Sequence, residues 1–225
     1  MFESIKIISG GQTGADQAAL DVAIELGLDY GGSIPKGRLT EDGPLDKKYD
    51  KMTELDSRSY RVRTEKNIID SDGTLIFTIG NPKDGTALTE KYALKHGKPC
   101  YVSDFDEDEV SDLVHFVRRW INNSKIKVLN VAGPRASEFP EIYKLVFYTL
   151  KQVFIRYSSE RKPSKCPNCG GKKVASILWG MPAYSEELQR DIDEGKIIIG
   201  GCCVSDDDPK WQCAECGAEI YKEVS

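Results

Sequence analysis

The chain has 225 residues, of which 30% are charged and 40% hydrophobic, and 31 basic against 36 acidic side chains give a formal net charge of -5. This length allows one full globular domain and a small second module, which excludes a single short repeat or a peptide hormone. The acidic balance argues against nonspecific binding to nucleic acid, because that affinity depends on many lysine and arginine contacts with phosphates.

No stretch of the sequence reaches the roughly 18 consecutive apolar residues that a membrane-spanning helix needs. Met1 is followed almost directly by an apolar run at residues 5–8, which is typical of a buried strand and not of a signal peptide. We therefore expect a cytoplasmic protein with no removed signal and no membrane partner.

Short β-branched runs alternate with amphipathic stretches between residues 5 and 154, a pattern typical of a parallel sheet with crossover helices. The predicted strands are residues 5–9, 30–34, 73–79, 99–103 and 127–131, and the predicted helices are 16–26, 64–71, 86–96, 110–122 and 138–154. A long polar loop separates the second strand from the second helix. The sequence therefore predicts a five-stranded α/β domain over residues 1–154.

Polar and basic residues at 155–165 predict a linker, and residues 166–225 form a separate module that holds six of the seven cysteines. Cys166 and Cys169, like Cys213 and Cys216, form a Cys-x-x-Cys pair followed by glycine. Two such turns brought together make a tetrahedral zinc site, with a redox pair as the alternative interpretation. A predicted helix at 185–194, with strands at 196–199 and around Trp211, fills the 43-residue gap between the pairs.

The module is too small to fold reliably on its own core, so the zinc is predicted to be structural. Residues 156–225 carry 10 basic and 12 acidic side chains, which favours a structural or protein-docking ribbon over a nucleic-acid contact. Four sulfur ligands leave no open position for catalysis. Cys202 and Cys203 fit the site less well and are predicted to be buried or partly buried thiols.

Three glycine-bearing loops follow predicted strands, at residues 9–16, 80–90 and 130–135. In an open parallel sheet these loops emerge at the carboxyl edge, where free amides at helix starts bind anions. The first loop is not the dinucleotide-binding motif, because its glycines are spaced as G-G-x-x-G. With nearby basic residues, the predicted ligand-binding set is Gly10, Gly11, Gln12, Thr13, Gly14, Asp16, Lys36, Arg38, Arg63, Gly85, Thr86, Thr89, Gly133 and Arg135.

Several of these motifs resemble the putative molybdenum carrier family. They include Ser-Gly-Gly-Gln-Thr-Gly-Ala-Asp at 9–16, Pro-Lys-Gly-Arg at 35–38, Arg-Thr-Glu-Lys-Asn at 63–67, Gly-Thr-Ala-Leu-Thr at 85–89 and Leu-Asn-Val-Ala-Gly-Pro-Arg at 129–135. The resemblance covers about residues 4–154, and the wider group includes the Lonely Guy phosphoribohydrolases and the DNA-processing protein. It implies a Rossmann-like fold, frequent homo-oligomers, and a nucleotide or molybdopterin-type ligand. Residues 166–217 are similar to the zinc-ribbon tails of bacterial proteins.

The enzymes of the wider group carry Pro-Gly-Gly-x-Gly-Thr-x-x-Glu, whose glutamate acts on an N-glycosidic bond. Here Gly85 and Thr86 are kept, but the next acid, Glu90, comes four positions after the threonine instead of three. One residue along a helix rotates a side chain by about 100°. Glu90 therefore departs from the pattern, while Glu65 or Asp16 offers a carboxylate from another element; Glu65 and Glu90 are the candidate catalytic residues.

The first interpretation is a binding protein for a phosphorylated nucleotide or a molybdopterin-like ligand, held at the glycine-rich loops. The second is an N-glycoside hydrolase that resembles the phosphoribohydrolases. The third is a nucleotide-sensing adaptor that signals to a protein partner through its zinc ribbon.

Overall fold

The computed structural model of the chain describes residues 5–81, 84–108, 110–154, 156–157, 162–180, 182–183, 185–202, 204 and 208–222. The chain divides into two compact units, Met1–Val153 and Phe154–Ser225. Among the described helices, none combines the length and the apolar character needed to cross a lipid bilayer.

The first unit alternates strands and helices, as the sequence pattern predicts. Its elements are β1 (Lys6–Ile8), α1 (Ala15–Glu25), β2 (Asp29–Ile34), β3 (Leu39–Thr40), β4 (Gly43–Pro44), β5 (Met52–Glu54), α2 (Tyr60–Asp70), β6 (Gly73–Thr78), α3 (Asp84–Lys95), β7 (Cys100–Asp104), α4 (Val110–Asn123), β8 (Val128–Ala132) and α5 (Ile142–Phe154).

Within the described residues, six of these strands form one parallel sheet in the order β5-β2-β1-β8-β6-β7. All six residues of β6 are buried, as expected for a central strand covered by helices on both faces. The predicted Rossmann-like α/β fold is confirmed, but the predicted count of five strands is wrong. The additional edge strand, β5, has three residues with only Met52 buried, too short to show an alternating pattern.

The last strand of the sheet in chain order, β8, lies between β1 and β6. From β1 the chain crosses through α1 to β2 on one side, and from β6 it crosses through α3 to β7 on the other. The order of the sheet therefore reverses around β8, and the loops after β1, β8 and β6 converge at a crevice. Ligands of open α/β sheets bind at this kind of position.

Two helices begin four residues away from the position that the sequence predicts. Helix α2 begins four residues before the predicted Thr64, and its N-cap is Ser59, whose carbonyl accepts a hydrogen bond from the Arg63 amide. Helix α5 begins at Ile142 instead of residue 138. Pro140 disfavours the helical conformation for Phe139, the residue before it, which favours a helix start after the proline.

The second unit contains a five-stranded sheet in the order β11-β10-β12-β13-β9 and one described helix. Its elements are β9 (Arg156–Tyr157), β10 (Val174–Leu178), α6 (Glu186–Asp193), β11 (Ile197–Ile199), β12 (Trp211–Cys213) and β13 (Glu219–Lys222). The side chain of Ser185 caps α6 by accepting a hydrogen bond from the Leu188 amide at 3.0 Å.

Residues 155 and 158–161 of the predicted linker, 155–165, lie outside the described residues, and its described part includes β9. Cys202 is exposed, so its prediction as a buried thiol is wrong: it follows two glycines beyond the end of β11. Cys203 lies outside the described residues.

Candidate functional site

A cavity of about 580 Å³ opens in the crevice at the carboxyl edge of the sheet. Eight predicted ligand-binding residues line this cavity: Gln12, Asp16, Arg63, Gly85, Thr86, Thr89, Gly133 and Arg135. They come from the loop after β1, the first turns of α2 and α3, and the loop after β8. The topology thus brings together residues that lie up to 123 positions apart in the sequence.

Arg63 reaches from α2 to the start of α1 and binds the carboxylate of Asp16. Its Nη1 lies 3.1 Å from Asp16 Oδ2, and the two side chains are only 12% and 6% exposed. A Cβ atom on Gly10 would lie 1.4 Å from Nη1, so only glycine leaves room for the guanidinium. Burial raises the pKa of Asp16, while the charge of Arg63 opposes that rise.

The amides of the loop after β1 are used inside the protein. Four of them donate to protein acceptors: Gly11 to Ser9 Oγ at 3.3 Å, Gln12 to Asp16 Oδ2 at 3.2 Å, Thr13 to Gln12 Oε1 at 3.0 Å and Ala15 to the Pro134 carbonyl at 3.2 Å. The expectation that this loop offers these amides to a ligand is therefore wrong. Polar side chains of the loop fold back on its own backbone, which glycine spacing alone does not reveal.

Cationic side chains outnumber carboxylates around the cavity. The cations are Arg61, Arg63, Lys91 and Arg135, and the carboxylates are Asp16 and Glu138. The guanidinium carbons of Arg63 and Arg135 lie 5.8 and 5.4 Å from the centre of the Tyr60 ring. The aromatic ring therefore helps to hold two of the cations, and the net positive lining favours an anionic ligand.

The first turns of α3 form another part of the cavity wall. Residues 85–89 line it, and the Thr89 hydroxyl donates to the Gly85 carbonyl at 2.8 Å. Thr86 and Thr89 are buried. The N-terminal end of a helix carries a partial positive charge, which adds to that of the cationic side chains.

The tip of the β3–β4 hairpin forms hydrogen bonds with two of the loops that border the cavity. The Glu41 carboxylate accepts hydrogen bonds from the Thr13 hydroxyl and from the amide and hydroxyl of Ser137. The Glu41 amide donates to Gln12 Oε1 at 2.8 Å. One acidic side chain therefore connects the loop after β1 to the loop after β8.

In the second unit, the sulfur atoms of Cys166, Cys169, Cys213 and Cys216 all lie within 4.8 Å of one another. Cys166 Sγ lies 3.8 Å from Cys216 Sγ, and Cys169 Sγ lies 3.7 Å from Cys213 Sγ. Four thiolates bound tetrahedrally at about 2.3 Å from a zinc ion would lie about 3.8 Å apart. The cluster could therefore hold a metal ion such as zinc.

The surroundings of the cluster act in opposite directions on the pKa values of Cys169 and Cys166. The amide of Gly171 donates to Cys169 Sγ at 3.3 Å, and it lowers the pKa of that thiol. Burial raises the pKa of Cys166 to about 12. A buried thiolate at this position therefore needs a metal ion to stabilise its charge.

The family model described as the circularly permutated YpsA SLOG family matches residues 7–154, which span the whole cavity. The chain belongs to this family. The crystal structure of a "Putative molybdenum carrier protein" from Syntrophus aciditrophicus SB is 48% identical, with a TM-score of 0.65. The similarity covers 67% of this chain and 94% of that one. No curated protein matches the chain.

The two predicted catalytic glutamates of this YpsA SLOG protein do not line the cavity. Glu65 Oε1 contacts Lys95 Nζ at 2.7 Å and His96 Nε2 at 2.8 Å, and these contacts lower its pKa. Glu90 is exposed on α3. The carboxylates that do line the cavity are Asp16 and Glu138.

Six other predicted ligand-binding residues of the YpsA SLOG domain lie outside the cavity lining: Gly10, Gly11, Thr13, Gly14, Lys36 and Arg38. Gly14 allows a close approach of the loop after β8, since a Cβ there would lie 2.5 Å from the Pro134 carbonyl oxygen. Lys36 is exposed. Arg38 donates to the carbonyls of Leu45, Asp46 and Tyr49, so its guanidinium holds the segment after β4.

Sequence reasoning missed eight residues that line the cavity: Tyr60, Arg61, Thr64, Ala87, Leu88, Lys91, Ala132 and Glu138. Tyr60 and Arg61 were missed as site residues because α2 begins earlier than predicted. Lys91 lies on α3 two residues after Thr89, and Glu138 was assigned to a helix that begins later. A correct helix start for α2 would have revealed the first two.

Proposed function

We propose that this protein binds a phosphorylated nucleotide or a molybdopterin-like ligand in the cavity at the carboxyl edge of its sheet. One observation carries this proposal: four cationic side chains from α2, α3 and the loop after β8 surround a single cavity. The first turn of α3 lies at the same place. The charge comes mainly from side chains, because the loop after β1 uses its own amides internally.

The size and the chemistry of the cavity both agree with a phosphorylated ligand. Its volume of about 580 Å³ falls within the range of about 300–1,000 Å³ typical of sites for small molecules and cofactors. Arginine forks bind phosphate oxygens in a bidentate manner, and three of the four cations are arginines. The similar structure from Syntrophus aciditrophicus is named for carrying molybdenum, which supports the molybdopterin-like option.

N-glycoside hydrolysis is the second candidate, and the position of Asp16 favours it. This buried carboxylate lines the cavity, whereas Glu65 and Glu90 do not. A hydrolase of this kind would use Asp16 in the role first assigned to those glutamates, stabilising positive charge on the sugar as the bond to the base breaks.

For the second unit, we propose a structural zinc ion held by Cys166, Cys169, Cys213 and Cys216. The sulfur separations of 3.7 and 3.8 Å support four-coordinate binding. All four positions are filled by protein, so the metal would stabilise the unit and take no part in catalysis.

Calorimetry and thermal shift with a panel of nucleoside monophosphates, a nicotinamide dinucleotide and inorganic pyrophosphate would test the ligand-binding proposal. We expect at least one phosphorylated compound to bind the wild-type protein and to raise its melting temperature. The double variant Lys91→Gln and Arg135→Gln should weaken binding by at least about tenfold, because charge-assisted hydrogen bonds to phosphate are lost.

The control carries Lys47→Gln together with Lys127→Gln, which removes the same two positive charges from exposed residues outside this cavity. It should leave binding unchanged. Chromatography of the same mixtures would detect a released base, which would establish the hydrolase candidate. Equal binding by the double variant and the control, or no binding of any compound, would refute the proposal.

A further inference from the structure

The side chain of Gln12 is buried beside the cavity with one end fixed and the other unpaired. Only 5% of the residue is exposed. Its Oε1 accepts hydrogen bonds from the Thr13 amide at 3.0 Å and the Glu41 amide at 2.8 Å. These two donors orient the carboxamide, because a rotated carboxamide would place its NH₂ group against them. Nε2 is buried and has no hydrogen-bond partner among the described residues.

Arg63 has a second unpaired donor and lies close to Gln12. Its Nη1 binds Asp16, but its Nε is buried and has no hydrogen-bond partner among the described residues. The Gln12 amide and Arg63 Nη1 both donate to Asp16 Oδ2, so the two residues meet at this carboxylate. Buried donors without partners are unfavourable and rare in native proteins, and one explanation for them is an absent ligand.

The charged partners differ between Arg63 and the other cations of the cavity. Asp16, which lies beside Gln12, offsets the charge of Arg63. Arg61 has no carboxylate within ion-pair distance among the described residues. Arg135 lies 3.9 Å from Glu138, and both of these side chains are at least 40% exposed. A phosphate therefore favours Arg61, Lys91 and Arg135 over the neutralised pair of Arg63 and Asp16, and a neutral acceptor favours the Gln12 donor beside that pair.

We propose that Gln12 determines which ligand the cavity accepts, by donating from Nε2 to an oxo group on the ring of the phosphorylated ligand. This inference rests on the proposed function. The Gln12 donor selects oxo-purines, oxo-pyrimidines or oxo-pterins, whose carbonyl oxygen accepts a hydrogen bond. A ring with an amino group at that place would set one donor against another, so the cavity rejects it.

Two pairs of nucleotides that differ in this group test the inference on the wild-type protein. Inosine and adenosine monophosphate differ at the 6-position of the purine, and uridine and cytidine monophosphate differ at the 4-position of the pyrimidine. We expect the oxo member of at least one pair to bind at least about tenfold more tightly in calorimetry. A site that forms a hydrogen bond to its ligand discriminates strongly against an analogue that leaves the buried group unpaired.

The variant Gln12→Glu sharpens the test, because a carboxylate keeps one oxygen for the Thr13 and Glu41 amides and replaces the donor by an acceptor. We expect the ratio of the two affinities to fall to about one or to invert. The ratio is used because the new negative charge weakens the binding of every phosphorylated ligand to a similar degree. The control Gln189→Glu makes the same change on the exposed face of α6 and should leave the ratio unchanged.

Inorganic pyrophosphate separates a failure of this inference from a failure of the proposed function. If pyrophosphate binds but neither nucleotide pair shows a preference for the oxo member, Gln12 does not select the ligand and the inference is overturned. In that case the proposed anion-binding function is still supported. If neither pyrophosphate nor any nucleotide binds, both proposals fall. The wild-type comparison decides the inference even if Gln12→Glu does not fold.

Discussion

The two units of this protein differ in the interactions that stabilise each fold. In the first unit, all six residues of β6 are buried, and the cavity lies at the end of a continuous apolar core. In the second unit, α6 has no buried residue, and a hydrophobic cluster of six residues includes Cys166 and Cys213. The core of the second unit thus includes two of the four clustered cysteines, whereas the cavity of the first unit lies beside a buried sheet.

Removing the metal should produce the largest difference between the two units. A structural zinc ion contributes on the order of 10 kcal/mol to the folding of a small module. We expect a chelator, or the variant Cys213→Ser, to unfold the second unit. Hydrogen exchange on the full chain should then show rapid exchange in β10, β12 and β13 and unchanged protection in β6.

Cys202→Ser is the matched control, since it removes an exposed thiol outside the cluster. It should leave both the zinc content and the exchange pattern of the second unit unchanged. Purified protein without bound metal, yet with the same protection in β12 and β13, would contradict the metal-dependent account.

Breaking the buried ion pair should be the most damaging single change at the cavity. Arg63→Met leaves the Asp16 carboxylate buried without its partner, which costs about 3–5 kcal/mol at neutral pH. Burial already raises the pKa of Asp16, and losing Arg63 removes the charge that opposes this rise. The folded variant then binds a proton more readily than the unfolded chain, so its stability falls as the pH rises above about 4.

Denaturant unfolding of Arg63→Met should therefore show a smaller loss of stability near pH 4 than near pH 7. Arg61→Met is the control, because that exposed arginine lines the same cavity without a carboxylate partner among the described residues. Adding Asp16→Asn should recover part of the loss in a double-mutant cycle. Equal destabilisation by the two arginine variants at both pH values would contradict the role of the pair.

The contrast between the units also explains what the sequence could reveal. The spacing of the cysteine pairs predicts a four-sulfur cluster directly, because each Cys-x-x-Cys turn is a local feature. The fold of the first unit follows from short apolar runs, such as the one that forms β6, that alternate with amphipathic stretches. The cavity depends on longer-range contacts: Arg63 covers Gly10, and Glu41 reaches Ser137. No local sequence pattern indicates that the amides of the loop after β1 would donate to acceptors within the protein.

The weakest expected effect concerns Glu41, which fastens two loops of the cavity. Burial raises the pKa of this carboxyl, but the hydrogen bonds from Ser137 and Thr13 outweigh burial and leave it lowered. A carboxyl with a lowered pKa stabilises the fold above its unfolded pKa of about 4.5, and this contribution is lost as the pH falls through the folded value. Protonation also removes the negative charge that strengthens the hydrogen bond from the Ser137 amide.

We therefore expect the melting temperature of the wild-type protein to fall more steeply than that of Glu41→Gln between about pH 5 and about pH 3. The difference between the two proteins should be small and should shrink towards acid pH, because the wild-type side chain becomes neutral there. Glu107→Gln provides an exposed control outside the cavity and should follow the wild-type curve. Parallel curves for wild type and Glu41→Gln would mean that the negative charge of Glu41 does not stabilise the contacts between the hairpin tip and the two loops.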